Sequence, residues 1–98
     1  MEATLSNSQI EELVGERARQ VDRTFALGPI HVFEDPHATG EGAVIVQISA
    51  RRPADRKNWT RLRSRLSLAI RDALVERGDN RYPLIEVFEP EEWASRNG

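Results

Sequence analysis

The chain has no cysteine, one methionine and few aromatics: three Phe, two Trp and one Tyr. Without cysteine there is no disulfide framework, iron–sulfur cluster, thiolate zinc site or cysteine nucleophile. A small domain lacking such staples fits a reducing compartment, so the expected location is cytoplasmic. Long apolar runs are missing too. The longest, Ala43-Val44-Ile45-Val46, is far short of the ~20 residues a membrane-spanning helix needs. Met1-Glu2-Ala3-Thr4 has neither the basic region nor the apolar stretch of a secretion signal. The expectation is a chain with no membrane partner.

Histidine is scarce as well: any nucleophilic triad would have to use His31 or His37, and no glycine-framed nucleophile elbow or phosphate-cradling glycine loop accompanies them. Gly40-Glu41-Gly42 is too short for a nucleotide loop and reads as turn geometry. His31, Glu34, Asp35, His37 and Glu41 offer imidazole and carboxylate donors of the kind zinc or nickel takes. Their spacing matches no defined motif, and a solvated acidic loop accounts for them. No catalytic residue, metal ligand or cofactor is assigned.

What remains is 98 residues, 39% hydrophobic and 31% charged, the make-up of one soluble globular domain over residues 1–98, with 1–7 and 95–98 as frayed ends. Such a chain buries roughly 60 to 65% of the surface it exposes unfolded, so its core is modest. The net charge of −2 hides a strong asymmetry. Residues 1–50 carry −5 and residues 66–98 carry −3, whereas residues 51–65 carry +6 through Arg51, Arg52, Arg56, Lys57, Arg61, Arg63 and Arg65 against Asp55 alone.

Periodicity gives the elements. Ser8 and Glu11 match a capping box, and Ile10, Leu13, Val14, Ala18, Val21 and Phe25 recur on one face of a helix over 9–27, which Gly28-Pro29 ends. Ile30-His31-Val32-Phe33 is a short strand, residues 34–42 a loop rich in Gly, Pro and Asp, and 43–50 a second strand with Val44, Val46 and Ile48 on its core face. A second helix, capped by Asp55 or Asn58, carries Trp59, Leu62, Leu66, Ala69, Ile70, Ala73 and Leu74 in one stripe and stops before Gly78. Leu68 and Val75 fall on its opposite side, either as scattered surface residues or as a contact surface. The last strand, 83–89, is apolar on both faces, with Ile85 and Val87 against Leu84 and Phe88. Trp93 in the terminal turn, the first helix or a second copy of the chain is expected to cover the outer pair. The fold class is α+β: a small two-layer sandwich in the order α-β-β-α-β, with a three-stranded mixed sheet and a short C-terminal helical turn.

This order is similar to that of the KH domains, small nucleic-acid-associated α+β domains, and of the BolA-like proteins. For the latter the resemblance also rests on Asp35 and His37 and on Pro90-Glu91-Glu92-Trp93. The two glycines flanking two variable residues that clamp phosphate in a KH domain are absent. The paired Arg and His of the BolA-like helical signature have no match in 54–65. No partner or site residue is therefore taken from either family.

Two surfaces remain as candidate sites. Arg51, Arg52, Arg56, Lys57, Arg61 and Arg65 gather where the second strand passes into the second helix, and a helix start itself favours an anion. They suit an acidic protein partner, or nucleic acid or phosphate. Acidic flanks on both sides oppose a long polynucleotide. Leu68, Val75, Leu84 and Phe88 form a candidate interface, with a homodimer as the expected assembly. The reading is a non-enzymatic protein-interaction or self-associating module, with nucleic-acid binding as the alternative.

Overall fold

A computed structural model describes residues 5–22, 26–34, 42–51 and 54–97. The elements are α1 (Asn7–Val21), β1 (Ala26–Glu34), β2 (Ala43–Arg51), α2 (Arg56–Glu76), β3 (Tyr82–Phe88) and α3 (Pro90–Asn97). The α+β order and the mixed sheet are those read from the sequence. The terminal turn is a helix of eight residues.

α1 starts and stops earlier than its periodicity suggests. Its capping box is Ser6 with Gln9: the Gln9 amide donates to Ser6 Oγ at 3.2 Å and the Ser6 amide to Gln9 Oε1 at 2.8 Å. Ser8 and Glu11 therefore lie inside the helix. The Leu5 amide, which donates to Asp79 at 3.1 Å, fixes the entry of the chain one residue before this cap. At the other end Asp22 turns extended, and its N–H closes the helix onto the Ala18 carbonyl. Phe25, assigned by spacing to this helix, lies outside the described residues.

Gly28-Pro29 does not end a helix; it sits inside β1. Leu27 pairs with Ala50 and Ile30 with Ile48, so β1 carries one extra residue between them. Such a bulge on an edge strand is where a proline, which has no N–H to donate, is tolerated. Glycine fits closely beside it: a Cβ at Gly28 would stand 3.1 Å from the Ser49 carbonyl oxygen, tighter than an ordinary contact. Gly28→Val is expected to lower stability by about 1–3 kcal/mol in urea unfolding, since backbone and not a flexible side chain must give way.

The sheet order is β1-β2-β3, with β1 antiparallel and β3 parallel to β2, so the crossover through α2 joins neighbours. Both helices lie on one face, α1 toward β1 and α2 toward β3. Ile10, Val14, Leu66, Ile70 and Leu74 from the helices meet Val32, Val44, Val46, Ile48 and Ile85 from the strands in one core. Val87 packs against its edge. On the opposite face Phe88 is half-buried beneath α3, its ring centroid 6.3 Å from that of Trp93 and the Arg96 guanidinium 4.6 Å above it. Trp93, one of the expected covers for Phe88, folds back over it. Among the described residues no helix is long and apolar enough to cross a membrane.

Among the described residues one charged group, Asp79 in the turn after α2, is fully buried. Asp79, 1% exposed, accepts from the Leu5 and Arg81 amides and from the Arg81 guanidinium at 2.8 Å, and Arg81 also donates to the Leu5 carbonyl and to Glu34. Burial alone would push the Asp79 carboxyl up. The bonds from the Arg81 side chain and from the two amides, with the Arg81 charge, outweigh it and hold the carboxyl below its ordinary value. The same bond to Asp79 raises Arg81 further.

Candidate functional site

Asp55 caps α2, its carboxylate accepting from the Lys57 amide at 2.9 Å. The helix start that would attract a phosphate thus already holds a carboxylate. Arg51 is drawn away from it, to Glu91 at 2.9 Å and Glu89 at 3.5 Å beside α3. The bond to Glu91 raises Arg51, and the Glu91 carboxyl is lowered by its own backbone amide and then by Arg51. Arg52 lies outside the described residues. Arg56, Lys57, Arg61 and Arg65 are exposed, and among the described residues none of them is in an ion pair. The acids of α1 do not neutralise them; the pair joining the two helices is Arg17 to Glu76 at 2.9 Å.

Among the described residues no group of three or more metal-ligand types is brought together. His31 is exposed on β1, Glu34 is engaged by Arg81, and Asp35, His37 and Glu41 lie outside the described residues.

The apolar candidates come together better than the basic ones. Leu68 is 60% exposed and Leu84 42%, and both line a groove of about 640 Å³ between α2 and β3. Its wall on the helix is Trp59, Thr60, Arg63, Ser64, Ser67, Leu68 and Arg71; its strand side is Tyr82, Pro83, Leu84 and Ile85. Trp59, assigned by spacing to the core stripe, is half-buried at this groove. Val75, 56% exposed, lies one heptad beyond Leu68, and Phe88 belongs to the contact with α3.

Arg71 and Tyr82 were not singled out by the sequence, and Arg63, counted in the basic segment, was not among the candidate site residues. The signal was present: Arg63, Ser67 and Arg71 recur every four residues along the flank of the apolar stripe. Which flank of α2 faces an open sheet edge depends on β3 being the last strand. The Arg71 guanidinium stands 5.6 Å from the Tyr82 ring centroid, and Arg63 reaches the Ile85 carbonyl at 3.5 Å. Among the described residues no carboxylate lines the groove.

Among the described residues nothing pairs with the outer side of β3. The Tyr82 N–H points to the Gly42 carbonyl, so the amides of Leu84, Glu86 and Phe88 turn toward β2. The backbone groups of Ile85 and Val87 therefore turn outward. Pro83 shares their orientation, a position where its missing N–H costs no ladder bond. A second groove at the opposite edge, between α1 and β1, is acidic, lined by Glu11, Glu12 and Glu16 against Arg19. No family model matches this chain, and no curated protein or solved structure matches it either.

Proposed function

We propose that the protein is a small protein-interaction module whose working surface is the groove between α2 and the outer edge of β3. One observation carries this reading: of the four large apolar side chains that stand exposed among the described residues, Leu68, Tyr82 and Leu84 line this one groove. Exposed apolar residues are ordinary when scattered, but clustering beside a strand edge whose outward backbone groups are in no ladder, the Ile85 carbonyl being reached by Arg63, marks a contact surface.

The second reading, binding of phosphate or a polynucleotide, rests on the exposure of Arg56, Lys57, Arg61 and Arg65. A photo-crosslinking side chain placed at Leu84 or, separately, at Arg65 tests both in cells. Protein adducts from position 84 and none from position 65 are expected. Nucleic-acid adducts from position 65, with position 84 silent, would overturn the proposal and support the second reading.

A further inference from the structure

Two helices side by side need about 20 Å, since each is at least 10 Å across, whereas three strands about 4.8 Å apart fill only about 14 Å. α2 over β3 and α1 over β1 therefore overhang the sheet, and the grooves under them mark the overhang. The difference of about 6 Å is shared between the two edges, so at each of them a helix flank projects beyond the outer strand. A fourth strand would bring the sheet to about 19 Å, matching the helix layer.

The two edges are not equivalent. At β1 the extra residue between Leu27 and Ile30 breaks the ladder, Pro29 offers no N–H, and the wall is acidic. At β3 Pro83 likewise offers no outward N–H, but the ladder is unbroken and the outward groups of Ile85 and Val87 follow in regular register. The wall is basic through Arg63, which reaches the Ile85 carbonyl at 3.5 Å and would exchange it for a peptide carboxylate, and through Arg71. Neither guanidinium pairs with a carboxylate among the described residues.

From this we infer that the partner is an extended, acidic peptide segment, which adds to β3 as a fourth strand beneath α2 and places carboxylates on Arg63 and Arg71. The inference rests on the groove being the interaction surface. Its spacing is specific. Arg63 and Arg71 are eight positions apart on the helix, about 12 Å along its axis, which matches the roughly 13 Å between residues i and i+4 of a strand. Leu68 lies between them along the helix and suits an apolar residue at i+2. Hydrogen bonds from the Ile85 and Val87 backbone supply sequence-independent affinity, and the alternating pockets supply selectivity.

A second copy of this chain fits less well. Two β3 edges meeting about a two-fold axis would set two rows of Arg63 and Arg71 against each other. A copy joining through β1 brings its own overhanging helix into space that takes one strand.

The test uses three synthetic peptides. The first, Thr-Val-Glu-Val-Val-Thr-Glu-Val-Thr, carries acids at i and i+4; the second has Lys in both acidic places; the third keeps the acids and has Pro in the central place. In titrations followed by amide NMR, the acidic peptide is expected to shift Ile85 and Val87 and to slow their hydrogen exchange. The Lys and Pro peptides are expected to bind at least tenfold more weakly. The pair Arg63→Glu with Arg71→Glu should invert the preference between the Glu and Lys peptides, and Arg63→Gln with Arg71→Gln should abolish it while keeping the fold.

Equal binding of the acidic and Lys peptides at the groove would overturn the acidic partner and leave the interaction surface standing. So would a mass above one chain of 11.1 kDa that falls on changing Leu84→Lys, because the occupant would then be a second copy. Perturbation of no groove amide by any peptide, together with no adduct from position 84, would overturn both.

Discussion

Replacing Asp79 by Ala is expected to cost about 3–5 kcal/mol, the range seen when one member of a buried ion pair is removed. Asp79 closes the turn after α2, and its carboxylate binds the Leu5 amide, the Arg81 amide and the Arg81 guanidinium together. Truncation leaves those donors without their acceptor and Arg81, whose side chain is 11% exposed, without its main counter-charge. It also frees the segment that leads into α1. Denaturant unfolding measures the loss, and a double-mutant cycle with Arg81→Ala should show strong coupling. A loss under about 1 kcal/mol, or additive single effects, would mean that the network is ornamental to the fold.

The same network predicts a pH dependence. The folded Asp79 carboxyl lies below its unfolded value of about 3.9, so between the two the unfolded chain binds more protons. The stabilisation is therefore complete above about pH 4 and is lost as pH falls through the folded value. The raised Arg81 works at the opposite end, its contribution being lost only as pH rises beyond the ordinary arginine range. Acid unfolding of the Asp79→Ala chain should accordingly be shallower than that of the native chain.

Leu66→Ala is expected to cost about 2–5 kcal/mol, whereas the identical change at Leu68 should cost less than about 0.5 kcal/mol. The two residues differ by two positions on α2, and the side chains are the same. Leu66, 1% exposed, belongs to the core that α1, α2 and the sheet share; Leu68, 60% exposed, has solvent on its outer side. Removing three buried carbons leaves a cavity the neighbours cannot fill, and a stability of roughly 5–15 kcal/mol makes the loss conspicuous. Thermal or urea unfolding of the two variants side by side checks this. Similar losses at both positions would mean that the helix is rotated from the face its periodicity assigns. Leu68→Ala should instead weaken peptide binding at the groove.

The places where sequence reasoning missed share a physical cause. A helix pattern continued through Phe25 to residue 27 because Val21 and Phe25 keep the spacing, yet Leu27 and Ile30 pair with residues of β2 some twenty positions away. Ladder formation decided the boundary, and local periodicity carried no information about it. Gly28-Pro29 punctuates a turn in isolation and a bulge on an edge strand. At the other end of α1, Ser6-Gln9 and Ser8-Glu11 satisfy the same pattern, and the Leu5 bond to Asp79 selects the first. For the basic residues, counting charge located the Arg-rich segment but not the direction each side chain takes. Arg51 goes to α3, Arg61 and Arg65 face solvent, and Arg63 turns to the strand edge with Arg71 from outside the segment.

The sequence by itself determined the order of the elements, the mixed sheet class and the buried faces. Val44, Val46 and Ile48 at period two, and Leu62, Leu66 and Ile70 at helical spacing, leave one side of each element apolar, and burial of that side follows from local geometry alone. Only the tertiary structure decided which strands are edges, where β1 begins and which flank of α2 overhangs β3. Those depend on pairing between segments distant in the chain, and on the mismatch in width between two helices and three strands, a property of the assembled layers that no single segment contains.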